Sequence, residues 1–284
     1  MNDQATKLRQ KVQQKENNTR IIAIASGKGG VGKSNITVNM GLALQEMGKR
    51  VLLLDADLGM ANLDILLGLT PRYNLSHVLK GKCKFEDAVL KGPDGIDILP
   101  GTSGDDLVNI SSMEVKRLIE ASSHMESNYD IIIIDIGAGI HYSVTNFIMA
   151  CDEAIIVLTP EPTAIMDAYS LIKFLANQKS KSKIGLLINQ TSSQKEGDNV
   201  ANRMQKVIKE YLKTDIEIMG YIPYDEYVRQ SVKAQTPFII SYPRSKAVDA
   251  LRDVAARMLD RVQEEESRGM KGFIYRIVGI FNRD

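Results

Sequence analysis

Eight consecutive residues constrain this chain more than any others. Gly27-Lys28-Gly29-Gly30-Val31-Gly32-Lys33-Ser34 follows a short apolar run, Arg20–Ser26, and precedes a helical pattern from Asn35 to Met47 that Gly48 ends. The run before the loop is β-branched and stopped by glycines, which predicts a buried strand. A glycine loop between a strand and a helix gathers backbone N–H groups and the helix N-terminus at one point, where an anion binds. Two patterns fit the loop. Gly27-x-Gly29-x-x-Gly32, with Asp55 about 20 residues on, fits a dinucleotide site. Gly27-x4-Gly32-Lys33-Ser34 fits a Walker A phosphate loop. Only the second gives Lys33 and Ser34 work: the ammonium reaches the β- and γ-phosphates, and the hydroxyl ligates Mg²⁺. A dehydrogenase needs neither, so the nucleoside-triphosphate reading is preferred.

The rest of the chain repeats the strand-then-helix pattern. Arg50–Asp55, Ile96–Pro100, Asp130–Ile136, Ala154–Thr159 and Lys183–Asn189 read as strands, and Met113–Glu126 as an amphipathic helix. Strands apolar on both faces that alternate with helices predict an α/β fold: three layers, a mostly parallel central sheet flanked by helices. The expected division is a flexible arm over residues 1–19, one phosphate-loop domain over 20–266, and a C-terminal segment over 267–284. A net charge of +1 supplies no global field for nucleic acid, and no direct nucleic-acid binding is expected. Cys83 and Cys151 form no metal-binding spacing, and His77, His124 and His141 no cluster. With a polar N-terminus and no spanning apolar run, a cytoplasmic location is expected.

Acids complete the phosphate site. Asp135 follows four isoleucines, the Walker B pattern, and its carboxylate would hold Mg²⁺ through water. Asp55 and Asp57 end a strand, at the edge where ligands bind in such sheets, and their spacing of two points both to one side. A plainer reading of Asp55 is a strand-end cap. Gly137-Ala138-Gly139 forms a segment able to respond to the γ-phosphate.

With Lys28 as a second lysine in Lys-Gly-Gly-Val-Gly-Lys-Ser, the sequence resembles the MinD/ParA family of deviant Walker A ATPases, and does so through most of residues 20–240. The resemblance implies ATP and ADP as ligands, Mg²⁺ as the metal, and a face-to-face homodimer closed by ATP. It implies catalytic roles for Lys28, Lys33 and Asp57, with Lys28 reaching the partner's phosphates and Asp57 orienting water. Ser34, Asp55 and Asp135 would serve the metal. Nucleotide contacts would come from Gly29, Gly30, Val31, Gly32, Lys33, Ser34, Asn35, Asn62, Glu161, Asn189, Pro223 and Asp225. Asp167 would pair with the partner's copy of Lys28. Strand caps and turn residues are the alternatives for Asn62, Asn189, Pro223 and Asp225. Family members usually carry Thr or Ser-Pro after the Walker B acid, where this chain has Ile136-Gly137. An iron–sulfur relative holds its cluster by cysteines, and Asp135–Val144 has none.

The two ends narrow the branch. Met270–Arg283 (MKGFIYRIVGIFNR) places Phe273, Ile274, Ile277 and Phe281 on one helical face with Lys271, Arg276 and Arg283 at its margins. That suits a helix lying on an anionic membrane surface; a core helix docked on the domain is the alternative, and the two states could exchange on dimerisation. Asp3-Gln4-Ala5-Thr6-Lys7-Leu8-Arg9 is similar to the arm of the FlhG branch, the MinD-like ATPases of flagellar assembly. That resemblance implies control of flagellar number and placement. It also implies stimulation of an FlhF-type signal-recognition GTPase through Gln4, contact with flagellar C-ring proteins, and peripheral attachment to the inner face of the cell membrane. The other branches are division-site MinD-type and DNA-partitioning ParA-type ATPases.

Overall fold

Isoleucine and leucine dominate the strands on both faces, and burial explains why. In the computed structural model, which describes residues 19–57, 62–101, 111–260 and 269–281, the strands form one eight-stranded sheet. They are β1 (Arg20–Ser26), β2 (Val51–Ala56), β3 (Leu90–Lys91), β4 (Asp97–Leu99), β5 (Ile131–Ala138), β6 (Glu153–Leu158), β7 (Lys183–Thr191) and β8 (Glu217–Pro223). Their order is β3-β4-β2-β5-β1-β6-β7-β8, parallel except for the antiparallel pair β3–β4. Alternate residues of β1 serve opposite cores. Ile21, Ala23 and Ala25 pack on one side, Ile22 and Ile24 on the other.

Helices cover both faces. On one side lie α1 (Lys33–Glu46) and, later in the chain, Lys246–Asp260. On the other lie α2 (Ser112–Asn128), α3 (Tyr142–Ala150), α4 (Pro162–Asn177) and α5 (Gln194–Val207). Before the C-terminal segment come α6 (Glu226–Lys233), a one-turn helix at Phe238–Ser241, and the Lys246–Asp260 helix already placed, here α7. This is the expected three-layer arrangement. The chain crosses from β1 to β2–β4 on one side of the sheet centre and to β6–β8 on the other. The crevice outside the strand ends at that reversal is where such sheets bind ligands.

Below the sheet, Arg20 donates to Glu153 at 2.9 Å and to the Met258 carbonyl at 2.8 Å, both buried. The arginine thus ties β1 to β6 and α7, with its charge paired and each of its three nitrogens donating.

The last helix, α8 (Gly269–Phe281), is docked rather than free. Met270, Phe273, Ile274 and Ile277 are buried against α2 and α3 in the same core as the sheet, whereas Tyr275 is 62% exposed. Phe273 meets Phe147 with ring centroids 6.3 Å apart, Lys271 N–H donates to Glu126 at 3.0 Å, and Arg276 lies 3.6 Å from Asp152. Residues 1–18, including Gln4, and the side chain of Phe281 lie outside the described residues. Among the described residues, no helix is long and apolar enough to cross a membrane.

Candidate nucleotide site

The loop from Gly27 to Ser34 joins β1 to α1 as its sequence requires. Gly30 and Gly32 have φ values of 82° and 90°, left-handed conformations that glycine alone adopts without cost. A side chain at Gly27 would collide with the backbone of Asp167, so the loop start lies directly on α4. Gly29 and Gly30 face open space, where a phosphate chain would lie. Asn35 accepts from Asn39 Nδ2 through its carbonyl and side chain, at 2.8 and 3.0 Å, steadying the first turn of α1.

The two lysines occupy different environments. Lys33 Nζ is buried and donates to Asp135 Oδ1 at 2.7 Å, with Ser34 Oγ at 3.4 Å. Lys28 is 37% exposed and donates to Glu161 at 2.8 Å and to Thr163 Oγ1 at 2.9 Å, at the start of α4. Lys28 therefore has a partner within its own chain, Glu161, and the half-buried Asp167 lies one turn further along α4.

Parallel register brings the acids together. Asp55 of β2 stands directly beside Asp135 of β5. Asp55 accepts from the backbone N–H groups of Asp57 (3.0 Å), Asn62 (2.8 Å) and Leu63 (3.1 Å), which is the strand-end cap anticipated as its plainer role. Burial, and then the neighbouring Asp135 carboxylate, push Asp55 up to about 6, against the pull of those three N–H groups. Asp135 is fully buried; its Oδ1 also accepts from Thr37 Oγ1 at 2.9 Å, while its Oδ2 has no hydrogen-bond partner. Two buried carboxylates with one ammonium, and one oxygen left over, suit a divalent cation. Among the described residues no three acidic, His or Cys side chains converge on a metal position. A cation here would depend on phosphate oxygens and water, as Mg²⁺ sites commonly do.

Asp57 lies outside this buried pair. Its carboxylate packs against Gly137, where an added Cβ would lie 3.2 Å from Oδ1. A cavity of about 200 Å³ opens beside it, lined also by His141 and Ser143. The Gly137–Gly139 segment is tied to β1 through Gly139 N–H and the Ser26 carbonyl, at 2.9 Å.

On the opposite side of the loop, Asn189 is committed to structure. Its Nδ2 donates to the Val31 carbonyl at 2.8 Å, and its Oδ1 accepts from Gln190 N–H at 3.0 Å. Asp225 caps α6, accepting from Tyr227 N–H at 3.0 Å and from Ala247 N–H at 3.5 Å. Pro223 ends β8 beside Thr191. Asn62 contributes its backbone N–H to Asp55; residues 58–61, which precede it, lie outside the described residues.

Sequence reasoning missed Thr37, which orients Asp135, and Thr163, which shares Lys28. The position of Thr37, one turn after Lys33, was the available signal. Cys151 is buried with its thiol on the Phe147 carbonyl at 3.2 Å, and burial pushes the thiol well up, so it is inert.

Comparison with known proteins agrees with this geometry. Residues 17–259 match the ParA family model, described as NUBPL iron-transfer P-loop NTPase. The antiactivator FleN of Pseudomonas aeruginosa is 42% identical over 91% of this chain and 93% of its own length. The flagellum site-determining protein YlxH of Helicobacter pylori is 33% identical over 92% of this chain and 90% of its own. Among solved structures, the septum site-determining protein MinD of Pyrococcus horikoshii, complexed with Mg-ADP, superposes with a TM-score of 0.68 at 29% identity. It covers 88% of this chain and 99% of its own.

Proposed function

Because this chain belongs to the MinD/ParA family of P-loop ATPases, with FlhG-type flagellar proteins among its relatives, we propose that it is a Mg²⁺-dependent ATPase switch of flagellar assembly. It hydrolyses ATP to ADP and phosphate, closes into a homodimer with ATP, and sets flagellar number and placement. The observation that carries this reading is the separation of the two loop lysines. Lys33 faces the buried acids, whereas Lys28 lies at the surface on Glu161 and Thr163, outside its own acid pocket. A lysine held there serves the phosphates of a second copy better than its own.

The chain's residues divide the work as follows. The loop N–H groups and Lys33 bind the phosphates, which requires Lys33 to leave Asp135. Ser34, Asp55 and Asp135 would hold Mg²⁺, which would supply positive charge against the phosphate oxygens. Asp57, beside its cavity, orients the attacking water; phosphoryl transfer relies on positioning and charge more than on a strong base. Lys28 of the partner subunit stabilises charge as an arginine finger does.

The docked α8 supports a membrane-exchange step. Its apolar face is the one a membrane would take, so attachment requires release from α2 and α3. Two such helices in one dimer bind more firmly than one. The arm over residues 1–19, with Gln4, would stimulate an FlhF-type GTPase, and C-ring proteins would be recruited at the inner membrane face.

Sizing the full chain with ADP and with ATP, with and without anionic liposomes, tests the reading. The expected result is a monomer with ADP and a liposome-bound dimer with ATP. A monomer under every condition would sink it.

A further inference from the structure

Asp57, just past β2, and His141, just past β5, line one small chamber. Its volume is about 200 Å³, and Ala56, Val144 and Phe147 make part of its wall apolar. Three of its lining side chains can hydrogen-bond: Asp57, His141 and Ser143. Such a volume holds about six waters at liquid density, and a water stays there only where polar groups meet it. Asp57 leans in across Gly137. A Cβ added at that glycine would lie 3.2 Å from Oδ1 and 3.5 Å from the carboxyl carbon, so glycine leaves the carboxylate its place.

His141 holds an unusual posture. It is the N-cap residue of α3, where a side chain ordinarily accepts from the first turn, and it makes no such bond. The ring folds back over the switch segment instead. Its Cδ2 lies 3.3 Å, and its Nε2 3.6 Å, from where a Cβ would stand at Gly139. Gly139 has φ 106°, a turn that glycine makes without cost. Among the described residues the ring nitrogens of His141 make no hydrogen bond. Gly139 N–H is tied to the Ser26 carbonyl at 2.9 Å, so the ring's position is referred to β1 and the phosphate loop. The other donor, Ser143, sits in the first turn of α3, where a hydroxyl can bond the helix's own backbone.

We propose that His141 is a second residue holding the attacking water, working with Asp57 across this chamber. An ionised carboxylate only accepts hydrogen bonds. Asp57 alone therefore holds a water by one O–H and leaves it free to turn about that bond. An imidazole N–H donates to the water oxygen, and this second bond fixes the remaining lone pair towards the γ-phosphorus. That lone pair forms the new bond, and the bond from phosphorus to the β–γ bridging oxygen breaks. ADP leaves with its electron pair, and the water's proton passes to a γ-phosphate oxygen. His141 keeps its own proton throughout. Positioning of this kind supplies much of the rate in phosphoryl transfer. This inference rests on the ATP site proposed above.

The test measures phosphate release by the full chain, with ATP affinity from displacement of a fluorescent nucleotide. His141→Leu removes the N–H, and kcat should fall about tenfold or more, with KM, ATP affinity and melting temperature unchanged. His141→Gln, which carries an amide donor, should recover a large part of that loss. Ser143→Ala should keep wild-type kcat. With Asp57→Ala already in place, His141→Leu should cost less than about twofold further, because a water freed from one hold gains little from the other. Wild-type kcat in His141→Leu, no recovery in His141→Gln, an equal loss in Ser143→Ala, or a full further loss on top of Asp57→Ala would overturn the role while the ATP site stood. A joint fall in ATP affinity and melting temperature would make His141 structural and overturn it as well. If wild type hydrolysed no ATP, the ATP site reading would fail and this inference with it.

Discussion

Lys33 Nζ sits 2.7 Å from Asp135 Oδ1, both groups buried, so the side chain expected to hold phosphate is held by the one expected to serve the metal. Nucleotide binding must exchange that pair for two others. Lys33→Ala should abolish ATP binding. It should also destabilise the nucleotide-free protein by about 3–5 kcal/mol, because it leaves Asp135 buried without its counter-charge. Adding Asp135→Asn should recover most of that stability and none of the binding. Urea unfolding and nucleotide titration together check the pair; equal stability of the single and double variants would contradict it.

Thr37 should matter through Asp135. Thr37→Val keeps the volume but removes the hydroxyl on Oδ1, at a cost of about 1 kcal/mol in stability. The Mg²⁺ concentration for half-maximal ATPase should rise several-fold, with little change in ATP affinity measured without metal. A parallel loss of both would make Thr37 merely structural.

The raised Asp55 has a signed consequence in chelator and without nucleotide. Its unfolded value is near 3.8 and its folded value about 6, so the folded state binds the extra proton between them. Stability from this group is present below about pH 4 and is lost as pH rises towards 6. The difference in unfolding free energy between wild type and Asp55→Asn should move by about 2 kcal/mol in the variant's favour between pH 4 and 7. A pH-independent difference would place the carboxylate in an ordinary environment.

Lys28→Ala should leave the fold and ATP binding nearly intact, because its pair with Glu161 is exposed and such pairs contribute at most about 1 kcal/mol. The ATP-dependent dimer should be lost. Light scattering that still showed a dimer would remove Lys28 from the interface.

Displacing α8 should favour membrane binding. Ile274 is fully buried, so Ile274→Ala weakens docking by about 2–5 kcal/mol while keeping an apolar face. Liposome co-sedimentation with ADP should rise from background. Unchanged sedimentation with both nucleotides would leave α8 a core helix.

The loop, its flanking strand and helix, and the acid after four isoleucines were legible because each is a local pattern with a fixed spacing. The parallel sheet followed from strands apolar on both faces. β3 was illegible at two residues, and β8 was hidden by Glu217 and Gly220, which interrupt its apolar run. The dual duty of Asn189 and the Lys28–Glu161 pair bring together residues more than 130 positions apart. Such pairs arise from strand order, which one-dimensional spacing does not contain. The apolar face of α8 was legible; its docking partner on α2 and α3 was not, since an apolar face fits a core and a membrane alike.

Gly27 rests on the Asp167 backbone with no clearance for even one added carbon. A joint without play transmits displacement instead of absorbing it. Whatever shift phosphate imposes on the loop must be shared by α4, and α4 carries Thr163 in its first turn with Glu161 as its N-cap residue. The lysine and both of its holders therefore travel as one piece.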